Sequence, residues 1–218
     1  MASIPKTLTL GEIATNCISS GLDVLGAFHH NNNQTLILLS PAKSFWGTFK
    51  VSHEYQDNLL NPIDRWSTRV ISELAIQISA SPKFPFGGPP YYPFLEWAKR
   101  SNRAWISPLG MLVHDTMGMM ISYRGALILD YLITLPHTKS LNPCNTCTNK
   151  PCINACPAHA ISGIEYNTIK CHNFLETSDG KVCMKGACQV RTSCPVSVIV
   201  QRDPEHNLLH MRAFKGEI

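Results

Sequence analysis

The stretch that decides the second half of the chain reads Cys144-Asn-Thr-Cys147-Thr-Asn-Lys-Pro-Cys152-Ile-Asn-Ala-Cys156-Pro157. A single cysteine comes next, and a second run then ends the stretch: Cys171, Cys183, Cys188 and Cys194-Pro195. Eight of the nine cysteines therefore lie within 51 residues. Since the first 143 residues contain only Cys17, this density indicates that the eight thiols act together.

Three kinds of chemistry use cysteines at this density: disulfides, zinc sites and iron–sulfur clusters. Disulfides need an oxidising compartment. The N-terminal residues 1–10 lack a basic segment followed by an apolar one, so we expect no secretory signal and a cytoplasmic chain. Zinc takes four thiolate or imidazole ligands, usually from paired knuckles, and eight cysteines could hold two ions. Soft thiolates also suit iron–sulfur clusters.

The segment Cys152-Ile-Asn-Ala-Cys156-Pro157 is similar to the end of a bacterial ferredoxin run, in which the cysteine before proline binds the other cluster. Cys194-Pro195 repeats this ending. The rule divides the ligands of two 4Fe-4S clusters into a first set, Cys144, Cys147, Cys152 and Cys194, and a second set, Cys156, Cys171, Cys183 and Cys188. Several of the spacings are longer than in the ferredoxin run, so we expect enlarged loops around the clusters.

Two 4Fe-4S clusters in a small domain favour one-electron transfer. The alternative is a purely structural role, in which the clusters only cross-link a loop-rich segment. Between Lys139 and Val200, six basic residues stand against three acidic ones. This mild excess offsets the negative charge of the clusters or raises their potentials, or it is an ordinary solvated surface.

Length, composition and charge limit the class of protein and its division into domains. The chain has 218 residues, 44% of them hydrophobic, and no run of ~18 apolar residues, so we expect no membrane span. Its net charge of +4 is too small and scattered for a nucleic-acid-binding surface. The cysteine boundary predicts an α+β domain at residues 1–138, a ferredoxin-like iron–sulfur domain at 139–201 and a C-terminal tail at 202–218.

Periodicity and turn signals predict the elements of the first domain. Cys17 falls on the apolar face of the first helix, which predicts a buried core thiol. The segment from Phe84 to Pro93 contains too many prolines and glycines for regular structure. The helices are predicted at 8–18, 41–49 (with Ser40 as its cap), 62–78 (with Asn61 as its cap) and 94–100, and the strands at 22–28, 35–39, 109–113 and 121–129. This order predicts an antiparallel or mixed sheet with helices packed on it.

Further residues are candidates for binding a cofactor, although no catalytic residue can be assigned. The aromatic side chains of 84–92 could line a pocket or anchor a surface loop. Arg124 could hold a phosphate or carboxylate with two hydrogen bonds, or form a structural ion pair. His114 could lie near a ligand, or be a hydrogen-bonded part of the scaffold. No phosphate-binding glycine loop and no Ser–His–Asp signature is present.

The segment His114-Asp-Thr-Met-Gly118-Met-Met-Ile-Ser-Tyr-Arg124-Gly125 resembles a motif of CblC-type cobalamin-processing domains. The cysteine-rich stretch resembles the two-cluster ferredoxin domain of epoxyqueuosine reductase and of reductive dehalogenases. Three further segments complete a resemblance to a small family of bacterial ferredoxin-like proteins: Asp64-Arg65-Trp66, residues 84–90 and His210-Met-Arg-Ala-Phe214.

The resemblance implies a nitroreductase-like domain fused to a two-cluster domain, and a pocket for cobalamin or a related cofactor at Phe86, Tyr91, His114 and Arg124. Three functions follow from the residues and the resemblance together. The chain is an electron-transfer protein, a cobalamin-dependent reductase related to epoxyqueuosine reductase, or a binding module with structural clusters. The partner is a redox protein or a small-molecule cofactor, and neither nucleic acid nor a membrane is expected.

Overall fold

The structure is a computed structural model that describes residues 7–137, 139–163 and 165–218. In these ranges the strands are β1 (Leu22–His29), β2 (Thr35–Pro41), β3 (Ala80–Lys83), β4 (Ala104–Ile106), β5 (Leu112–His114) and β6 (Gly125–Leu129). Every strand pair in these ranges is antiparallel, and helices lie before, between and after the groups of strands, so the protein is α+β.

The α-helices within the described ranges come in two sets. The first set comprises α1 (Leu10–Ser19), α2 (Phe45–Lys50), α3 (His53–Gln56), α4 (Pro62–Gln77) and α5 (Phe94–Arg100). The second set comprises α6 (Pro143–Thr146), α7 (Thr168–Leu175), α8 (Lys181–Gly186), α9 (Gln189–Thr192) and α10 (Pro204–Lys215). Short 3-10 turns at Pro151–Asn154 and Ser197–Ile199 complete the helical structure.

The chain divides into two compact units. The first unit contains residues 1–102 and 122–139, and the second contains 103–121 and 140–218. Each unit is therefore formed from two separate segments of the chain. The segment 103–121 was expected in the first domain, but it belongs to the same unit as the cysteine-rich stretch. The segment 202–218 was expected to be a tail, and it contains α10 of the second unit.

The first unit is built on a four-stranded antiparallel sheet in the order β1-β2-β6-β3. Its two central strands, β2 and β6, are buried almost throughout, because their apolar residues are covered on both faces. Helix α4 packs against β3 and β6, and α1 packs against β1. The core stripe of α4 includes Ile63, Trp66 and Ile71, all buried as the helical period predicts.

The second unit has little regular structure. A hairpin of β4 and β5 packs with the cysteine loops, and most of its helices are only one or two turns long. One hydrophobic cluster joins Leu109 and Val113 of the hairpin segment to Ile161 and Val190 of the loops. Buried cysteines belong to the same cluster: Cys152, Cys156 and Cys194. The core of this unit is therefore formed partly by thiols.

Most elements predicted for the first unit are confirmed. Helix α5 has the predicted bounds, and α1, α4, β1 and β2 differ from the prediction by a few residues at their ends. Residues 84–93 have no helix or strand, as expected. Cys17 is 1% exposed on α1, and burial raises the pKa of its thiol to about 12. It is a core residue, as predicted.

Three predictions about local structure are wrong, and a fourth is confirmed only in part. Ser40 and Pro41 do not start a helix but belong to β2, and α2 begins at Phe45. Asn61 is the N-cap residue of α4, as predicted, but its backbone is left-handed, with φ at 55°, and its side chain accepts no capping hydrogen bond. Residues 121–124 are irregular, and the strand begins at Gly125. The predicted strand at 109–113 lies at Leu112–His114, because residues 107–110 form the hairpin turn.

Candidate metal centres

Four cysteines of the second unit surround one small cavity, which we call the first cysteine group: Cys144, Cys147, Cys152 and Cys194. The cavity has a volume of about 40 Å³ and mostly apolar walls. Pro108, Met119, Pro143, Pro195 and Val196 supply these walls, and Lys150 is the one charged residue that lines it. The side chains around this cavity that can bind a metal are therefore all thiols.

Local backbone signals place the first cysteines of this group. Asn142 caps α6, and its Oδ1 accepts a hydrogen bond from the amide of Cys144 at 3.0 Å. Pro143 occupies the first turn of this helix, where the missing amide hydrogen costs nothing. Lys150 then adopts a left-handed backbone, with φ at 37°, and begins the 3-10 turn that carries Cys152. The long Cys147–Cys152 spacing is thus absorbed by a sharp change of chain direction.

Another four cysteines form what we call the second cysteine group: Cys156, Cys171, Cys183 and Cys188. Burial raises the pKa of the Cys183 thiol, and the nearby thiols of Cys188, Cys171 and Cys156 raise it further. These electrostatic effects show that the four side chains are neighbours. Cys171 lies on α7 and Cys183 on α8, while Cys188 directly precedes α9.

The first group shows the same electrostatic signature. Burial raises the pKa of Cys144, and Cys194, Cys152 and Cys147 add to this effect in that order, while Lys150 opposes it. Burial likewise raises the pKa of Cys152, with contributions from Cys194 and Cys147. Cys194 therefore stands with the cysteines of the first run although it is distant from them in sequence.

Hydrogen bonds to sulfur mark the second group. The amide of Ala160 donates to Sγ of Cys156 at 3.3 Å, and the hydroxyl of Tyr166 donates to Sγ of Cys171 at 3.8 Å. The ring of Tyr166 stacks on Phe214 of α10, with centroids 6.2 Å apart and planes at 7°. Tyr166 is therefore held beside the sulfur by contacts on both sides.

Helix α10 covers part of the second group. Met211 packs with Cys183 and Leu175 in one buried cluster, against which Phe214 also packs. Nζ of Lys215 lies 2.7 Å from a carboxylate oxygen of Glu176, at the end of α7. Asp203 caps the start of this helix, and its Oδ1 accepts a hydrogen bond from the amide of Glu205 at 2.9 Å.

The turn after β5 packs closely against the segment that follows Cys194. Gly118 has a left-handed backbone with φ at 54°, and a Cβ atom at this position would lie 2.6 Å from the amide nitrogen of Ser197. Oγ of Ser197 accepts a hydrogen bond from the amide of Met119 at 2.9 Å. Met119 in turn lines the cavity of the first group, so this glycine permits the turn to close one wall of the cavity.

The donor set fits iron–sulfur clusters, because each group offers four soft thiol ligands. All nine cysteines lie in the described ranges as thiols without a disulfide. Among the described residues, no three His, Cys, Asp or Glu side chains converge enough to hold a single ion. A zinc ion needs its sulfur ligands about 2.3 Å from one point, whereas the four thiolates of a cubane bind four different irons.

The candidate cofactor residues of the first unit have other partners. Arg124 is buried, and it forms an ion pair with Asp64 and donates to Oγ of Ser67 at 3.2 Å. Burial lowers the pKa of its guanidinium, and Asp64 opposes that shift. Its guanidinium also lies 5.5 Å from the ring centre of Phe86. Tyr91 is 65% exposed. The structural ion pair is thus the role the contacts give to Arg124.

His114 belongs to the second unit and is fully buried at the end of β5. Its Nδ1 accepts from the amide of Thr116 at 3.2 Å and lies 3.0 Å from Oδ1 of Asp115. Asp115 also receives two hydrogen bonds from Arg103, at 2.9 and 3.0 Å. These contacts make His114 part of the hairpin scaffold.

Sequence reasoning identified the cysteines but missed the residues around them: Tyr166, Ser197 and the residues of α10. The start of α10 carried a usable signal, because Asp203-Pro204 is a capping residue followed by proline. Tyr166 and Ser197 carried none, since their contacts depend on how the loops fold.

No helix in the described part of the chain combines the length and the apolarity needed to cross a bilayer. No protein-family model matches this chain, and no curated protein and no solved structure matches it either.

Proposed function

We propose that this chain is an iron–sulfur electron-transfer protein that carries two 4Fe-4S clusters, one in each cysteine group. One observation carries the proposal. The fold exchanges one cysteine between the two runs, so that Cys194 joins the first group and Cys156 joins the second. This is the partition that the ferredoxin rule requires, and a purely local zinc knuckle does not need it.

When bound, a thiolate-ligated cubane exchanges one electron at a time with little rearrangement. The chain supplies the rest. Met119, Pro143 and Val196 give the cavity of the first group apolar walls. The Tyr166 hydroxyl and the Ala160 amide stabilise negative charge on the sulfurs of the second group. The cytoplasm, where thiols stay reduced, is the compartment that we propose for it.

The other functions remain alternatives. A nitroreductase-like first unit that binds cobalamin would make the chain a reductase, and purely structural clusters would make it a binding module. We do not extend the proposal to a corrinoid, because Asp64 and Ser67 already occupy the Arg124 guanidinium. Titration with hydroxocobalamin tests this directly, since a spectral shift that Arg124→Ala weakens would restore the reductase.

The experiment that tests the proposal is anaerobic purification followed by analysis of iron, sulfide and zinc, with visible and electron paramagnetic resonance spectra. We expect about eight irons and eight sulfides per chain, and a broad absorbance that bleaches on reduction. Stoichiometric zinc without iron would sink the proposal, and clusters that do not cycle reversibly would favour the binding module.

A matched pair of variants locates the clusters. Cys194→Ser removes one proposed ligand of the first group. We expect this variant to contain about half of the wild-type iron, because the iron of the second group is retained. Cys17→Ser removes the buried thiol of α1, and we expect the iron content to stay the same. Equal losses in the two variants would mean that iron binding does not depend on the first group.

A further inference from the structure

An open groove of about 450 Å³ lies on the surface of the second unit. Its lining residues are Ala155, Pro157, Val182, Gln189, Thr192 and Ser193. Nearly all of them are direct sequence neighbours of a ligand cysteine. Cys156, Cys183 and Cys188 belong to the second group and Cys194 to the first, so the lining residues of the groove adjoin cysteines of both groups.

The segments that line this groove are mostly basic. Residues 150–157 and 180–195 contain no aspartate or glutamate, and the nearest carboxylate in sequence is that of Asp179, next to Gly180. Their basic residues are Lys150, Lys181, Lys185 and Arg191. Lys181 precedes Val182 and Arg191 precedes Thr192, so both cations lie next to lining residues. Within the described ranges, Lys181 and Lys185 are exposed and form no ion pair.

The groove itself is uncharged, and exposed apolar side chains lie on the segments that line it. Val182 is 49% exposed in the groove, and Ile153 is 47% exposed on the neighbouring turn. An apolar centre with a charged rim is the usual anatomy of a transient protein interface. In interfaces of this kind, a charged rim selects the partner by the sign of its charge and steers the encounter.

We infer that this groove is the docking surface for an acidic electron-carrier protein, whose redox group is ringed by carboxylates. The inference rests on the proposed function and adds the partner. One electron passes between the carrier and a cluster of this chain, with no bond made or broken. Because electron tunnelling weakens steeply with distance, the carrier must dock where the ligand cysteines lie just beneath the surface.

Charge complementarity favours this occupant over the alternatives. A second copy of the chain would bring the same basic rim against itself, which costs energy. A small neutral acceptor would gain nothing from Lys181, Lys185 and Arg191. An acidic protein pairs with the rim and covers the apolar residues of the groove at the same time.

The experiment measures electron transfer from the reduced chain to two haem proteins of opposite charge. The chain is reduced anaerobically with light and a deazaflavin, then mixed with excess oxidised cytochrome b5, which is acidic, or cytochrome c, which is basic. Both rates are followed as the salt concentration rises. The test variants are Lys181→Glu and Val182→Glu, and Lys43→Glu, an exposed lysine of the first unit, is the control with the same charge change as Lys181→Glu.

We expect the rate with cytochrome b5 to fall as salt rises and to drop about tenfold at low salt in Lys181→Glu. Val182→Glu places a carboxylate in the groove without removing a cation, and it too should slow cytochrome b5. With cytochrome c we expect the opposite effects. The rate of electron transfer rises with salt, and both Lys181→Glu and Val182→Glu increase it. Lys43→Glu should change either rate less than twofold.

Failure of the docking surface and failure of the proposed function would give different results. The chain could bleach fully with the deazaflavin, while the rates do not depend on salt or change equally in Lys181→Glu and Lys43→Glu. This result would overturn the docking surface and leave the proposed function standing. Absence of bleaching in the wild-type chain would overturn the proposed function and the docking surface with it. Bleaching measured in each variant separates a docking defect from a lost cluster.

Discussion

The two units of the chain build their cores from different materials. In the first unit, apolar strands are covered on both faces, and Leu36 to Leu39 of β2 are fully buried. In the second unit, the hairpin and the short helices pack around a cluster that contains buried thiols as well as aliphatic side chains. The core of the first unit is thus aliphatic and aromatic, whereas part of the core of the second unit consists of thiols that we propose as cluster ligands.

This difference teaches where the stability of each unit comes from. The first unit gains it from burial of apolar area, at roughly 25 cal/mol per Å². A small unit with few aliphatic residues gains less from burial and depends more on cross-links or metals. The two units should therefore respond differently to the same treatment.

Removal of iron should have the largest effect and should separate the two units. After anaerobic chelation, we expect the second unit to lose most of its amide protection from hydrogen exchange, because metal-binding free energy is folding free energy in such units. Peptides from β2 and α4 of the first unit should keep their protection. Mass spectrometry of the exchanged peptides measures both. Equal protection before and after chelation would mean that the second unit is stable without metal.

Gly118→Ala should destabilise the second unit by about 2–4 kcal/mol. The left-handed backbone costs an alanine about 1–2 kcal/mol, and overpacking against the backbone of Ser197 adds about as much. The matched control is Gly110→Ala, also left-handed with φ at 73°, but with open space around the added atom. We expect the control to lose only the backbone contribution, about 1–2 kcal/mol. Denaturant unfolding of the iron-loaded variants measures both, and equal losses would contradict a role for the Ser197 contact.

The same contrast explains how much of the fold the sequence could predict. In the first unit, α4 was found because proline and a helical apolar stripe agree locally. Ser40-Pro41 looked like a helix start but ends β2, because pairing with β1 overrides the local signal. Strand β3 was missed because it is short and contains Pro82, which is tolerated where the strand pairs on one side only.

In the second unit the cysteine spacing carried the prediction almost alone. It predicted two groups of four ligands. The thiols of the first group line one cavity and those of the second act on the pKa of Cys183, while their roles as ligands and the presence of clusters stay predictions. The hairpin of residues 103–121 was assigned to the wrong part of the chain by position, because nothing local marks Gly118 as a contact of Ser197. Contacts between segments far apart in sequence leave no pattern in either one.

Glu54 offers a smaller test that concerns the first unit. Its carboxylate is 2% exposed, and Arg69 donates to it at 2.6 and 3.1 Å. Hydrogen bonds from Arg69 lower the pKa of Glu54 from 4.5 to about 2. A lowered carboxyl pKa stabilises the folded state above pH 4.5, and this contribution is lost as the pH falls towards 2.

Glu54→Gln should therefore cost about 1–2 kcal/mol at neutral pH, since water screens the partly exposed Arg69, and should flatten the loss of stability between pH 4.5 and 2. The control is Glu73→Gln, an exposed partner of the same arginine at 3.5 Å, which should cost less than about 0.5 kcal/mol. Unfolding midpoints of the wild type and of both variants, measured across this pH range, show whether Glu54 causes the loss of stability. A pH dependence unchanged in Glu54→Gln would assign it to other carboxylates.

The smallest expected effect distinguishes the two cysteine groups from each other. Tyr166→Phe removes the hydroxyl that donates to Sγ of Cys171 but keeps a ring to stack on Phe214. A hydrogen bond to sulfur favours the more negative, reduced state, so its loss should lower the potential of the second cluster by about 20–60 mV, the equivalent of one hydrogen bond. The potential of the first cluster, which we propose is bound by other cysteines, should stay the same.

Tyr123→Phe is the control, because it removes a hydroxyl that donates to the carbonyl of Leu25 in the first unit. A redox titration followed by electron paramagnetic resonance resolves the two potentials. A shift in both clusters would mean that Tyr166 acts on the unit as a whole, whereas a shift in one would make the second group the site that the chain tunes through its own side chains.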